Sequence, residues 1–326
     1  MTSNRLRKRT RPVGGDQDLM DFGARRRVYV LPEYRVMYVS VPKNACTSLK
    51  WLVAGLAGED LDDLRRGDLG FSPTREGQVH QRQRWRPHTQ LSGLDPAIRA
   101  SIAPANGWFV FGVVRDPRLR LFSAWQDKYL LRAPGYYEHW DRPDAKGHPI
   151  PRTPDDVIGA FRDFVFTVVD EPEHEYLQDG HFASQVHALD EDVVDYSRLY
   201  DMTELGQLMK DLQGHLELEG FDGQVALGRS NSSPFAVVGD LFENGVREAV
   251  ERLYAADFER FGDRWDFTPV EQRRAADLWT PDAFAHARSI IAMCERTSDV
   301  VRAARRLRKA NARLEAEVAA LRSQLD

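Results

Sequence analysis

The chain has 326 residues, a formal net charge of -5 at neutral pH, 42% hydrophobic and 10% aromatic residues. It is too long for a small module and apolar enough for a sizeable core, in one large domain or two ordinary ones. The acidic balance excludes a nucleic-acid polycation.

The first dozen residues differ from the rest. Arg5, Arg7, Lys8, Arg9 and Arg11 make residues 1–27 read as a solvated basic tail, with an RNA- or membrane-binding arm as the alternative. "RVMYVSV" (35–41) is a predicted strand, short, apolar and rich in β-branched and aromatic types. Leu49, Leu52, Val53 and Leu56 then recur at i, i+3, i+4, i+7, predicting an amphipathic helix that ends near Gly58. Residues 59–106 are polar, with short helical pieces. "GWFVFGVVR" (107–115) is a second buried strand, and "DPRLRLFSAWQDKYLL" follows as a helix with Pro117 in its first turn. Residues 132–154 form a loop dense in Pro, Gly and aromatics, of the length used for lids and binding loops. "PDDVIGAFRDFVFTVV" reads as a helix, "VVDYSRLYDM" (193–202) as a strand entering a helix, "GRSNSSP" (228–234) as a polar loop, and "ENGVREAVERLYAADFERFG" as a helix. Strands separated by helices predict an α/β fold with a central parallel sheet.

From about Val300 the chain has neither Gly nor Pro. Val300, Leu307, Leu314 and Leu321 are spaced by seven, with Ala304, Asn311, Val318 and Leu325 four residues after each. That is a heptad with Leu mostly at d, a polar Asn311 at one a position, and Glu317 at g facing Arg322 at e of a parallel partner. It predicts a homodimer through a C-terminal coiled coil; the alternative is a surface helix packed on its own domain. The expected organisation is a tail (1–27), a catalytic domain (28–295) and a C-terminal helix (296–326).

The only cysteines, Cys46 and Cys294, can build neither a disulfide framework nor a zinc quartet, and fit a reducing compartment. No apolar stretch approaches the ~18 residues of a membrane span, and no h-region of a signal peptide is present. The expectation is a soluble cytoplasmic protein.

Two stretches carry chemistry. In "PKNACTSLK" (42–50) a strand gives way to a tight loop and then a helix, so main-chain donors from Asn44, Ala45, Cys46, Thr47 and Ser48 can surround an anion. Thr47 and Ser48 add hydroxyls, and Lys43 can reach over the anion as a point charge. A Walker A loop would read G-x-x-x-x-G-K-S/T; here the lysine comes first and the glycines are missing, which argues against a nucleoside triphosphatase. In "RDPRLRLFSAW", Arg115 ends a strand and Ser123 lies eight residues on, so a bidentate fork and a hydroxyl can converge on one oxyanion. Two such elements suggest one ligand with anions at both ends.

The pair resembles the signature elements of sulfotransferases that use 3′-phosphoadenosine 5′-phosphosulfate (PAPS). "PKNACTS" resembles their 5′-phosphosulfate loop and "RDPRLRLFSA" their 3′-phosphate Arg and Ser; the Pro-Lys-x-x-Cys-Thr and Arg-Asp-Pro forms are similar to the carbohydrate branch. "DGHFASQ" (179–185), "DYSRLYDMTEL", "GRSNSSP" and "LYAADFERFG" resemble later elements of that branch, in its order, over residues 28–268. The resemblance implies a P-loop-like three-layer sandwich, a soluble bacterial-type member, transfer of a sulfuryl group to an acceptor hydroxyl, with a carbohydrate or glycolipid as the candidate acceptor, and no metal. It makes Lys43 the residue that neutralises the leaving oxygen and makes Arg229 and Asn231 candidate nucleotide contacts. It also implies a base between the two anion sites, often His and sometimes Glu. His88 is preferred, because it precedes the Leu-rich stretch feeding the strand of Arg115; His80 is the alternative. Cys46 is assigned to loop packing and His181 to a structural or substrate-orienting part. Arg118 and Arg120 read as solvated helix charges, only one facing the nucleotide, and Lys128 as surface. Trp85, Tyr136, Tyr137 and Trp140 are stacking surfaces for an acceptor or loop anchors. The competing functions are a small-molecule kinase and a catalytically idle interaction protein.

Overall fold

The computed structural model describes residues 15–67, 72, 74–136, 150–171, 177, 179–228 and 233–323, without the side chains of His88, Leu321 and Ser323. The basic residues of the first dozen, Tyr137, Trp140, Arg229 and Asn231 lie outside the described residues.

Four strands form one sheet in the order β1 (Arg27–Leu31), β2 (Val36–Ser40), β3 (Phe109–Val114), β4 (Arg198–Asp201). The last three run parallel, as expected, so their carboxyl ends share one edge. The pairing of β1 is antiparallel, with Leu31 opposite Val36. The helix before this edge strand, α1 (Asp16–Arg25), lies within the stretch read as a tail, and β1 starts at the last residue of that stretch. Their amphipathic character explains the difference: Leu19 and Phe22 of α1 are buried against the sheet.

Side chains alternate strictly between two cores. Val28, Val30, Met37, Val39 and Val110 face α1 and Leu189, while Tyr29, Leu31, Tyr38, Phe111 and Val113 face the helices on the other side. Those helices are α2 (Cys46–Leu56), which contributes Leu49 and Val53, and the helix at Leu205–Leu218, which contributes Leu208, Leu212 and Leu216. Both sheet faces are therefore covered, which is why the strands read as unbroken apolar runs.

A third, all-helical core begins at the tip of β3. It packs α3 (Pro117–Trp125), α4 (Pro154–Asp170) and helices near the carboxyl end. Asp116 caps α3 through the Arg118 amide, and Pro117 occupies its first position. The predicted single helix at 243–262 is two, Val246–Leu253 and Ala255–Phe261, broken at Tyr254.

In chain order after α4 come α5 (Gln185–Leu189), α6 (Leu205–Leu218), α7 (Val246–Leu253), α8 (Ala255–Phe261) and α9 (Pro281–Ser323). The 43 residues of α9 form one continuous helix, so the boundary drawn at 295/296 falls inside it. Phe284, Ala287, Ile291, Cys294 and Ser298 are buried against the domain. Beyond them Val300, Leu307, Leu314 and Val318 are all exposed. Among the described residues no helix is long and apolar enough to cross a membrane.

The short helix α5 is anchored by a buried carboxylate on α8. Asp257, fully buried, accepts hydrogen bonds from Ser184 Oγ (2.6 Å) and from the Gln185 and Val186 amides (3.0 and 2.9 Å). Each buried donor left without an acceptor costs about 1–3 kcal/mol. We therefore expect Asp257→Ala to lower the unfolding free energy in urea by about 3 kcal/mol.

Candidate active site

Because β2 and β3 are parallel neighbours, the loops leaving them lie side by side. The first loop is unusual in having non-glycine residues in left-handed backbone conformation at Lys43 (φ 70°) and Ala45 (φ 53°). Each such residue costs about 1 kcal/mol or more and persists only where its surroundings over-determine it. Here they do. The Asn44 amide, fully buried, donates to Val113 O (2.8 Å) and Gln185 Oε1 (2.7 Å). Arg120 Nε donates to Pro42 O (3.1 Å), and Arg115 donates to Lys43 O (3.0 Å). No side chain caps the start of α2, so its first turn presents main-chain N–H groups and the Thr47 and Ser48 positions together.

The three arginines of the second element differ in what they do. Arg118 is buried, paired to Asp116 (2.6 Å) and Glu251 (2.8 Å), and its guanidinium lies 4.0 Å from the centre of the Phe267 ring. Arg120 is buried and donates to the carbonyls of Pro42 (3.1 Å), Ala183 (2.7 Å) and Gly180 (3.4 Å). Neither is the solvated charge expected from the sequence, because each finds its acceptors inside the fold. Arg115 has no carboxylate partner among the described residues and, unlike Arg120 with three carbonyls, donates to a single one, Lys43 O. Burial, then the neighbouring Arg120 charge, pulls its pKa down to about 10. Ser123 is half-buried on α3, and its hydroxyl makes no hydrogen bond to a described residue.

Lys43 is held by Asp127 at 3.0 Å, and Lys128 by the same carboxylate at 3.2 Å. Lys128 is thus partly buried rather than on the surface as expected. Burial opposes ionisation of Asp127, but the Lys128 and Lys43 ammonium groups outweigh it and hold the carboxyl far below its usual range. Asp127 and Lys128 lie in a π-helical turn, Gln126–Leu130, which continues α3; such turns are frequent at functional sites.

His80 meets the first loop from a 3-10 turn (Glu76–His80), with Nε2 2.9 Å from Thr47 Oγ1 and Nδ1 2.8 Å from Lys50 Nζ. Burial, then the Lys50 charge, holds its pKa well below 6.5, so the ring is neutral. A charged Lys50 can only donate. In that state of Lys50, His80 carries its proton on Nε2 and donates to Thr47 Oγ1, which leaves the Thr47 hydroxyl hydrogen free to donate elsewhere. Both ring nitrogens are engaged, so neither faces an acceptor hydroxyl. The backbone of His88 forms a turn with Pro87 and Thr89, and its ring lies outside the described side chains.

Across the loops, His181 Nδ1 lies 2.5 Å from Asp179 Oδ1, and the Tyr136 hydroxyl hydrogen-bonds Asp179. Trp85 is a core residue, its indole donating to Val79 O (2.9 Å) and its ring against Tyr29. Cys46 is buried in the loop–helix junction.

The structure therefore brings Lys43, Asn44, Ala45, Cys46, Thr47, Ser48, His80 and Arg115 together. A family model described as "Sulfotransferase family" matches residues 26–262. The chain belongs to the sulfotransferase family. No curated protein and no solved structure matches it. Family membership makes this a transferase of sulfuryl groups. The P-loop-like α/β fold accounts for the pair of strand-tip loops, although the sheet of this sulfotransferase is mixed rather than wholly parallel.

Several site residues were invisible to motif reading. Asp127 lies four positions after Ser123, a spacing that could have flagged it as sharing that face. Lys50 was quoted only as the end of the first motif, yet it is almost fully buried, and burial lowers its pKa to about 7. A lysine with a depressed folded pKa makes the unfolded chain bind more protons between about pH 7 and 10.5. The resulting stability is complete above that window and lost as pH falls through about 7. We expect wild type to gain stability relative to Lys50→Met as pH rises from 7 to 10, measured by urea unfolding at each pH.

Proposed function

We propose that this sulfotransferase moves the sulfuryl group of PAPS to a hydroxyl of a carbohydrate or glycolipid acceptor. The observation that carries the reading is Arg115, a partly buried guanidinium with no carboxylate partner among the described residues, one strand away from an uncapped helix start. Arg115 and Ser123 serve the 3′-phosphate. The first-turn amides of α2 with Thr47 and Ser48 serve the 5′-phosphosulfate, and Arg229 and Asn231 contribute further nucleotide contacts. Lys43 leaves Asp127 and neutralises the phosphate oxygen as the S–O bond breaks. His80 orients Thr47. The carbohydrate preference rests on the Pro-Lys-x-x-Cys-Thr and Arg-Asp-Pro forms of the motifs. A cytoplasmic location is part of the reading, favoured by two free cysteines.

The test is nucleotide binding. We expect adenosine 3′,5′-bisphosphate to raise the melting temperature and adenosine triphosphate to leave it unchanged. Ser123→Ala should weaken bisphosphate binding about tenfold by calorimetry, since a hydrogen bond to a charged group is worth about 1.5 kcal/mol or more. Its melting temperature without ligand should not change, because the hydroxyl bonds no described residue. Equal binding of both nucleotides would sink the donor assignment.

We further propose that the sulfotransferase is a homodimer through the exposed end of α9. Val300, Leu307 and Leu314 are 50%, 66% and 58% exposed along one heptad stripe. Deleting residues 300–326 should give a monomer by light scattering, with the bisphosphate melting shift retained.

A further inference from the structure

We propose that His181, oriented by Asp179, is the general base that takes the proton of the acceptor hydroxyl. The inference rests on the donor reading above and adds to it the acceptor-side residue.

The geometry fixes both the tautomer and the place. Asp179 Oδ1 accepts from the His181 main-chain amide (2.7 Å) and lies 2.5 Å from its Nδ1. The Tyr136 hydroxyl donates to the other oxygen of Asp179 and sits 3.2 Å from His181 Nδ1. A carboxylate beside Nδ1 holds the ring proton there, so Nε2 is left with its lone pair. Nε2 has no hydrogen-bond partner among the described residues, and the side chain is 27% exposed. This is the arrangement of a base with an orienting third group. His80, by contrast, has both nitrogens engaged.

Arg120 ties the backbone flanking His181 to the loop that carries Lys43. Its guanidinium bridges Pro42 O, just before Lys43, to Gly180 O and Ala183 O, on either side of His181. The titratable and charged groups facing the ring are Lys43, Asp127, Lys128 and His80 from the donor side, the Asp179 carboxylate beside Nδ1 and the neutral hydroxyl of Tyr136. Burial, then the Lys128 ammonium, outweighs Asp179 and brings the His181 pKa to about 4, so the ring is neutral at physiological pH. An anionic donor held against Lys43 offsets one of the opposing charges and strengthens the base when there is a sulfuryl group to receive.

In the step itself, the acceptor oxygen forms a bond to sulfur as its proton passes to His181 Nε2. The bond from sulfur to the bridging oxygen breaks, and its electron pair stays on the 5′-phosphate of the departing adenosine 3′,5′-bisphosphate. The imidazolium returns its proton to solvent.

Water is an acceptor of known identity, so release of inorganic sulfate from radiolabelled PAPS reads the step. In the full chain, His181→Gln should lower that release about 100-fold, the usual contribution of a general base. Its calorimetric affinity for adenosine 3′,5′-bisphosphate should stay within about threefold of wild type, a change smaller than one charged hydrogen bond. Asp179→Asn, whose residue is a positioning one, should lower release about tenfold and shift the acid limb of the rate–pH profile, as expected when a base loses its charge partner. Nitrogen NMR of the wild-type histidines should show His181 protonated on Nδ1, with a titration midpoint that rises on adding the bisphosphate. Wild-type release by His181→Gln with bisphosphate still bound would overturn the base and leave the donor reading standing. So would a loss confined to His88→Gln, or a His181 ring protonated on Nε2. Wild type that binds no bisphosphate would overturn both.

Discussion

A buried amide ties the two strand-tip loops together, alongside the Arg115 bond to Lys43 O. Gln185 Oε1 accepts from Asn44 Nδ2 (2.7 Å) and from the Arg115 amide (2.9 Å), while its Nε2 donates to Arg115 O (2.8 Å). One side chain therefore grips the loop after β2 and the end of β3, and it sits at the first position of α5. Strand pairing sets the spacing of β2 and β3 only as far as their last ladder bonds. Beyond that point Gln185 fixes how Lys43 and Arg115 stand relative to each other. Asp257 secures Gln185 in turn, so a carboxylate on α8 has its effect at the opposite end of the sequence. Because Asn44, Gln185 and Asp257 are fully buried, a break at any of them leaves unsatisfied donors or acceptors rather than a merely looser loop.

The same network explains a phosphate-type loop without glycine. The left-handed backbone at Lys43 and Ala45 would ordinarily call for glycine. Here the carbonyls of Pro42 and Lys43 are each held by an arginine, and Asn44 between them is fixed by two side-chain hydrogen bonds. The loop conformation is dictated by tertiary partners, not by local freedom. The ammonium of Lys43 then projects from a rigid backbone, the condition for useful electrostatic preorganisation.

Local pattern made much of this legible. β2, β3, α2 and α3 were readable from short apolar runs, 3.6-residue periodicity and Pro117, because those signals are local. β1 and α1 were not, because a short run after a basic tail gives no hint that a sheet edge waits for it. The division of labour among Arg115, Arg118 and Arg120 was also hidden. All three look alike in sequence, and only the placement of Asp116, Glu251 and the carbonyls of Pro42, Gly180 and Ala183 separates Arg115, the proposed anion binder, from the two struts. His80 and His181 differ in the same way: what a histidine can do depends on what already occupies its nitrogens.

Lys43, Lys128, Arg115 and Arg120 each meet an acceptor among the described residues. Asp127 stands between Lys43 and Lys128, and Pro42 O and Lys43 O absorb the donors of Arg120 and Arg115. Asp127 thus serves Lys43 as an internal anion that a ligand oxygen can replace. Such an exchange is nearly balanced in enthalpy, since one charge-assisted contact replaces another. The advantage of a polyanion must then come from engaging several donors at once: the α2 amides, the Thr47 hydroxyl, Arg115 and Ser123. A monoanion reaching only Lys43 would have little to set against the loss of Asp127. On the proposed donor reading, selectivity for a ligand charged at both ends comes from the resting ion pair as much as from the donors themselves.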